Sequence, residues 1–423
     1  MNKGNSKKIS PSTNLIGAFF VHGFVEIPYF IFPVVLILVE KDLSPTLGEF
    51  TWIGLGSVGT ISALASGLPA PIFGWLADRY RRGIMMTISL LLASLGALLL
   101  GLFGKNFLIL LLGITLTGLA NSLYHPPGLS FVSEAFIDPD TQKYSPKYNR
   151  VLGIHGVGGT LGASSGPISV FLFIELFSFS WQQIYLFWSP ILIVIAFLFL
   201  VSVARRESEV RHLEQSGQIN PTFPIGRDKA GVFRTNYSIY IIYAFMFAMS
   251  LTWGMISFVL APILTEQKDF SVSVAALFVG TTHMIAASGQ LVGGVLGDRY
   301  SEKVTLSFTA LLQLAILVGI YFIDIYFILF LLYTLLRITN SVFWPLTNSL
   351  LAKSSTYRGK AFGWFMLIVN VVRATGPFVD GLLISSISNA YLWIFVFSSL
   401  FSILAFLLIH FANDTKKSDP IQY

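Results

Sequence analysis

The chain has 423 residues, of which 54% are hydrophobic and only 11% charged, whereas about a quarter of an ordinary soluble domain is charged. Mean hydropathy is +0.73. A water-soluble fold is excluded because it needs far more surface charge, and the 15% aromatic content excludes a disordered chain. An integral membrane protein remains. Cysteine is absent, so disulfides and thiolate metal sites are excluded as well. A membrane helix needs about 20 mostly apolar residues. In chain order the sequence supplies spans at 14–38, 50–77, 84–104, 107–133, 151–174 and 184–204. It then supplies 235–265, 270–297, 304–323, 325–352, 359–385 and 391–412. The first span is too long for a cleaved signal peptide and lacks a small-residue cleavage site, so its basic tail (Lys3, Lys7, Lys8) is expected to stay.

Twelve spans place both termini on one side. That side carries 22 of the 27 Lys and Arg residues, the opposite side carries Lys41, Lys105 and Lys268, and Arg337 and Arg373 fall inside spans. By the positive-inside rule both termini are cytoplasmic. The +6 charge is therefore a topology signal that suits anionic lipid, and no nucleic-acid partner is expected.

A polar stretch with Pro221, Pro224 and Gly226 divides the chain. It defines an N-terminal six-helix bundle (1–203), a cytoplasmic linker (204–236) and a C-terminal six-helix bundle (237–423). The halves repeat each other. Gly74-x3-Asp78-Arg79-x2-Arg82 follows the second span, and Gly294-x3-Asp298-Arg299-x3-Lys303 follows the eighth. Asn121-Ser122-Leu123-Tyr124-His125-Pro126 in the fourth span parallels Asn340-Ser341-Val342-Phe343-Trp344-Pro345 in the tenth. Gly153 and Gly166-Pro167 in the fifth span are 13 apart, as are Gly363 and Gly376-Pro377 in the eleventh. Two parallel repeats joined by a cytoplasmic loop imply a transporter that rocks about a site at the membrane midplane.

Over nearly the whole chain these landmarks resemble the major facilitator superfamily, with Arg81 and Gly83 departing from its loop pattern. The resemblance implies an all-α membrane fold of twelve helices in two six-helix bundles. It gives Asp78, Arg79 and Arg82, with Asp298 and Arg299, a gating role through contacts between charges and helix ends. Gly153-x8-Gly162-x3-Gly166-Pro167 resembles the signature of proton-coupled antiporters in that superfamily, although the closing glycine pair is replaced by Ser169-Val170. This adds Gly162, Gly166 and Pro167 to the gating set. On the residues alone, Gly153, Gly156, Gly158, Gly159, Gly162 and Gly166 give a smooth face for close helix approach, and Pro167 bends its helix. His22 and Glu26, Tyr124-His125-Pro126 and His155-Gly156-Val157-Gly158-Gly159 resemble the fosmidomycin-resistance group of drug exporters. That likeness implies proton-driven export of small molecules.

Charges inside a bilayer are costly and mark function. His22 and Glu26 are four apart and share one helix face, which makes them the candidate proton carriers. Asn121, Tyr124, His125 and His155 lie at mid-depth as candidate substrate contacts, and the resemblance brings them near His22. Asn340 and Asn370 join Arg337 and Arg373 as substrate candidates in the second half. An arginine keeps its proton, so each needs an anion. Asp380, two turns outward from Arg373, is one candidate and a gate residue. A substrate acid group is the other. No His-x3-His spacing occurs and no metal is expected, although His22, His125 and His155 are able to meet in space. His283, Gln290, Trp253, Trp344 and Phe343 read as packing. Glu134 reads as a helix-end contact, and Glu175 and Asp324 read as outer-end groups.

The expectation is a secondary active transporter of a small organic molecule, anionic if one arginine stays unpaired. It moves that molecule across the cytoplasmic membrane by alternating access as a proton-coupled exporter and works as a monomer. Proton-coupled import of an organic anion is the alternative. A membrane enzyme using Glu26, His125 and His155 stands further off, because no nucleophile elbow or polar catalytic loop is present, and neither catalytic residues nor a cofactor are expected. A sensor body would need an added soluble domain. No Gly-x4-Gly-Lys-Ser/Thr loop occurs, so ATP is not expected to drive transport.

Overall fold

In the bilayer no water satisfies backbone N–H and C=O groups, so long apolar segments must close their hydrogen bonds within themselves. The computed structural model of the chain follows that rule. It describes residues 11–48, 51–137, 144–215, 238–267, 269–321, 325–355, 357–387 and 390–410. The basic N-terminal tail, most of the linker with its Pro221, Pro224 and Gly226, and Asp324 lie outside the described residues.

Thirteen α-helices run through the described residues. The first seven are α1 (Pro11–Leu47), α2 (Thr51–Gly67), α3 (Ala70–Ala77), α4 (Arg82–Phe103), α5 (Phe107–Ala135), α6 (Tyr148–Phe177) and α7 (Trp181–Gln215). Then come α8 (Ser238–Pro262), α9 (Val272–Arg299), α10 (Glu302–Tyr321), α11 (Tyr326–Ser354), α12 (Arg358–Ser386) and α13 (Ala390–His410). A π turn, Ile263–Gln267, extends α8. One isolated bridge, Ile137 to Tyr144, is the β pairing among these residues.

Eleven stretches are long and apolar enough to cross a membrane by length and composition. The helix α12 is not among them; it carries Arg373 and Asp380 and occupies the place of the eleventh expected span. Three boundaries differ from the sequence expectation. The first span runs on as helix through Glu40, Lys41 and Asp42 to Leu47. The second breaks into α2 and α3 at Pro69, which has no N–H to continue a helix and caps the next one. The helix α7 continues to Gln215, so the expected linker begins as helix.

Burial runs opposite to that of a soluble domain. Leu108 is 72% exposed and Phe327 69%, while His22, Glu26, Asn121, His155, His283, Gln290, Asn370 and Asp380 are buried. An apolar outer belt around a polar interior is a lipid-facing surface. The helices pack as two groups that meet along α6 against α9 and along α12 against α2 and α3.

The glycines of α6 explain why this helix sits so tightly. A Cβ on Gly162 would overlap the carbonyl of Gly23, and one on Gly158 that of Phe19, both on α1. Gly153 and Gly156 instead meet Gln290 on α9, so the helix presents glycine to both halves. Replacing Gly162 with Ala must push backbone away from backbone, which costs about 1–3 kcal/mol. Gly59 has nothing within 4 Å of its would-be Cβ. Thermal unfolding in detergent should therefore fall clearly for Gly162→Ala and hold or rise for Gly59→Ala. Equal midpoints would contradict the packing.

Candidate functional site

One turn of α1 separates His22 from Glu26, and α5 brings His125 to the same carboxylate. His22 Nε2 lies 3.5 Å from Glu26 Oε1, and His125 Nε2 lies 3.1 Å from that oxygen. His22 stacks against both Tyr124 and His155, with ring centroids 4.9 and 4.7 Å away, and meets His125 edge-on at 5.1 Å. The three histidines of separate spans therefore do converge, as the resemblance implied.

The protonation pattern follows from partners that have only one role. A carbonyl only accepts, so His22 Nδ1–H donates to the His155 carbonyl at 3.2 Å. Tyr124 gives its single hydroxyl proton to the Ala18 carbonyl at 2.8 Å. It therefore accepts from Nε2–H of His155, also at 2.8 Å. In neutral His22 the Nε2 is then a lone pair facing the lone pairs of Glu26. Two acceptors repel unless a proton sits between them. A single proton shared between His22 Nε2 and Glu26 would remove that repulsion. The ligand atoms of His22, Glu26 and His125 lie within 4.8 Å of one another, a donor set able to hold a metal ion.

Across from this cluster, α11 and α12 supply Arg337 and Arg373. Arg373 lies within electrostatic reach of Glu26, His125 and Arg337. Its guanidinium sits 5.5 Å over Trp344, and its Nε is buried without a partner. Arg337 sits 5.0 Å over Trp253 and bonds His283. Among the described residues neither arginine forms an ion pair with a carboxylate. Asp380, expected as the partner of Arg373, does not take that role. It is fully buried, and neither carboxyl oxygen has a hydrogen-bond partner. Seven residues along a helix span about 10 Å, and Arg373 turns toward Trp344 instead.

The remaining candidates are placed as follows. Asn121 accepts from Ser66 at 2.9 Å and ties α5 to α2. Asn370 donates to the Met366 carbonyl on its own helix at 3.1 Å. Asn340 is partly buried on α11. Three residues matter more than sequence reading suggested. Tyr29 on α1 lies near Ser62 and Ser66 and within reach of the charges of Glu26 and Arg373. Trp253 and His283, read as packing, brace Arg337. The missed signal was that a buried arginine needs neutral acceptors and ring faces when no acid is near.

The residues expected to gate form two related sets of contacts, or latches, between the halves. Asp78 accepts from the backbone N–H groups of Gly359 and Lys360, both at 2.9 Å, at the start of α12. Arg82 lies 4.0 Å from Asp78 and makes a two-point pair with Glu134. In the second copy Asp298 accepts from the N–H of Asn149 at 3.1 Å, at the start of α6, and pairs with Arg150 at 3.1 Å. Each acid thus meets the positive end of a helix of the other half. Glu302 reinforces the second latch by accepting from Asn149 Nδ2 at 3.4 Å, and Lys353 of its own half pairs with it at 2.5 Å. Arg79 stacks 4.0 Å over Trp75, and Arg299 closes the last turn of α9. Glu134, read as a helix-end contact, thus pairs with Arg82, and Glu175 bonds Ser273 across the α6–α9 seam.

Burial pushes the Asp78 carboxyl above the usual carboxylate range, against the pull of its backbone donors and Arg82. A carboxyl raised in the latched state holds its proton more tightly there. The latch therefore strengthens as pH falls through that raised value and weakens as pH rises. Asp78→Ala removes both acceptor oxygens and should open this end. The chain has no cysteine, so Ser133→Cys, buried near that end of α5, gives a clean maleimide reporter. Labelling should quicken about tenfold in Asp78→Ala, the effect of about 1.4 kcal/mol on a two-state equilibrium. An unchanged rate would remove the latch role.

Comparison with known proteins places this architecture. The sequence profile of the Major Facilitator Superfamily matches residues 15–324 and 242–422. The fosmidomycin resistance protein of Escherichia coli (strain K12) is 24% identical over 270 residues, covering 63% of this chain and 62% of that protein. That match therefore spans less than two thirds of the relative's length. The multidrug resistance protein MdtG of Citrobacter koseri is 25% identical over 375 residues, covering 86% of this chain and 85% of the relative. In fold, the crystal structure of the human organic anion transporter MFSD10 matches with a TM-score of 0.68 at 16% identity, over 95% of this chain and 100% of that one. An inward-facing, unoccupied bacterial homologue of the human lysosomal transporter Spinster matches with a TM-score of 0.61 at 14% identity, over 96% and 98%.

Proposed function

The chain belongs to the major facilitator superfamily, and from that premise we propose a proton-coupled exporter of small organic anions that works by alternating access. It is a multi-pass protein of the cytoplasmic membrane, and its substrates are small molecules. Residues 1–203 and 237–423 are its two rocking bundles, joined by the 204–236 linker, with both termini cytoplasmic. The functional unit is the monomer.

One observation carries the substrate class. Arg373, within electrostatic reach of Arg337, is a cation inside a span that forms no ion pair with a carboxylate among the described residues. An uncompensated buried cation is costly. A ligand acid group supplies the missing charge, and a bidentate fork fits it well. The proton belongs to the slot between His22 and Glu26. The names of the relatives, both drug-resistance proteins, support export.

Arg373 also lies within reach of Glu26, and this favours a second reading. Filling the proton slot neutralises Glu26 and strengthens the field that an anion feels at Arg373. Proton and anion then bind cooperatively, which suits movement in the same direction and hence import.

A thermal-shift screen of the purified protein against anionic and neutral compounds at two pH values tests the substrate class. A bound ligand raises the midpoint by mass action. Anions should raise it in the wild type and fail to do so in Arg373→Ala. Stabilisation by neutral compounds alone, or anion shifts that persist in the variant, would overturn the proposal.

A further inference from the structure

We infer a second anion subsite in the C-terminal half, built by Arg337 with His283, Tyr333 and Trp253, so that the substrate is an organic acid carrying two negative charges. The inference deepens the proposed anion transport and rests on it.

His283 Nδ1 lies 2.9 Å from the Val279 carbonyl one turn back on α9, and a carbonyl only accepts. The ring proton therefore sits on Nδ1, and Nε2 is a lone pair that receives a guanidinium N–H of Arg337. The ring is buried, and Phe30 of α1 holds it edge-on at 5.7 Å. Tyr333, one turn before Arg337 on the same helix, lies within electrostatic reach of the guanidinium. Trp253 covers one face of it at 5.0 Å. All of these partners are neutral. They fix the direction of Arg337 without cancelling its charge, and its Nε is still without a partner. A cation held in this way is available to a ligand.

The subsite joins the first one through α8. Trp253 is followed by Gly254, whose would-be Cβ lies 3.0 Å from the Cα of Arg373. The two arginines feel each other's charge, and neither forms an ion pair with a carboxylate among the described residues. Two like charges within electrostatic reach of each other in a membrane interior call for two compensating charges. When the His22–Glu26 slot is filled, Glu26 supplies none, and a doubly charged acid balances the pair. His283 is then a positioning residue that acts through Arg337.

Thermal shift of the full-length protein tests this with matched acids: succinate against butyrate, and isophthalate against benzoate. In the wild type the diacid of each pair should act at roughly tenfold lower concentration or better, the effect of one added charge-assisted contact. His283→Ala should abolish that preference while leaving the monoacid response in place. His283→Gln, whose side-chain oxygen still accepts from Arg337, should restore most of it. A merely structural histidine would lower the unliganded midpoint in both variants and leave the preference intact. Equal response to mono- and diacids in the wild type, or a preference surviving in His283→Ala, would overturn the second subsite alone. No response to any acid would overturn it together with the anion reading.

Discussion

Glu26→Gln should leave the protein folded and end transport driven by a proton gradient. The glutamine keeps an oxygen that accepts from His125, whose Nε2 now lies 3.1 Å from that carboxylate. His22 Nε2 faces that same oxygen at 3.5 Å, and the neutral amide in place of the carboxylate carries no titratable proton. The variant therefore imitates the filled proton slot and never empties it. Accumulation against a gradient requires both states, because a site fixed in one of them has no differential affinity left to exploit. Uphill transport should fall by about two orders of magnitude or more, equivalent to roughly 3 kcal/mol. Exchange of substrate without a gradient should continue, since Arg373 and its surroundings are unchanged. A variant with unchanged dependence on the pH gradient would sink the role assigned to Glu26.

Arg373→Lys should weaken anion binding about 10–100-fold, because a compact ammonium loses the planar two-point fork. Arg373→Ala should weaken it further. The same variant should match or exceed the wild type in unliganded stability. Arg373 finds no acid partner and sits near a second cation, so its removal relieves repulsion and a desolvation cost. That combination separates a ligand contact from a structural one. An arginine holding the fold together would lower the unliganded midpoint when removed. Wild-type binding by Arg373→Lys would count against substrate contact.

The sequence made some of this architecture legible. Apolar length and the near absence of charge marked the spans, and the spacing of Gly74, Asp78 and Arg79 with its second copy marked the latches. Helical spacing placed His22 and Glu26 on one face, and the resemblance brought in His125 and His155. What stayed hidden depends on contacts between distant segments. Nothing local to α11 indicates that Arg337 meets His283 on α9, or that Asp78 reaches the first N–H groups of α12. Spacing alone suggested Asp380 for Arg373, because seven residues bring two side chains to one face. It did not say that about 10 Å of axial distance would keep them apart. Asn121 had the right depth for substrate, yet Ser66 claims it. A polar side chain at mid-depth satisfies the helix beside it as readily as a ligand.

The central claim is that one proton in the His22–Glu26 slot drives movement of an anion held at Arg373. The most direct measurement uses proteoliposomes with an imposed pH gradient and the anion selected by thermal shift. The wild type should accumulate or expel that anion only while the gradient lasts, with protons crossing as it does. Glu26→Gln should show exchange without net movement. Net transport that ignores the gradient in the wild type, or that follows it equally in Glu26→Gln, would contradict the account.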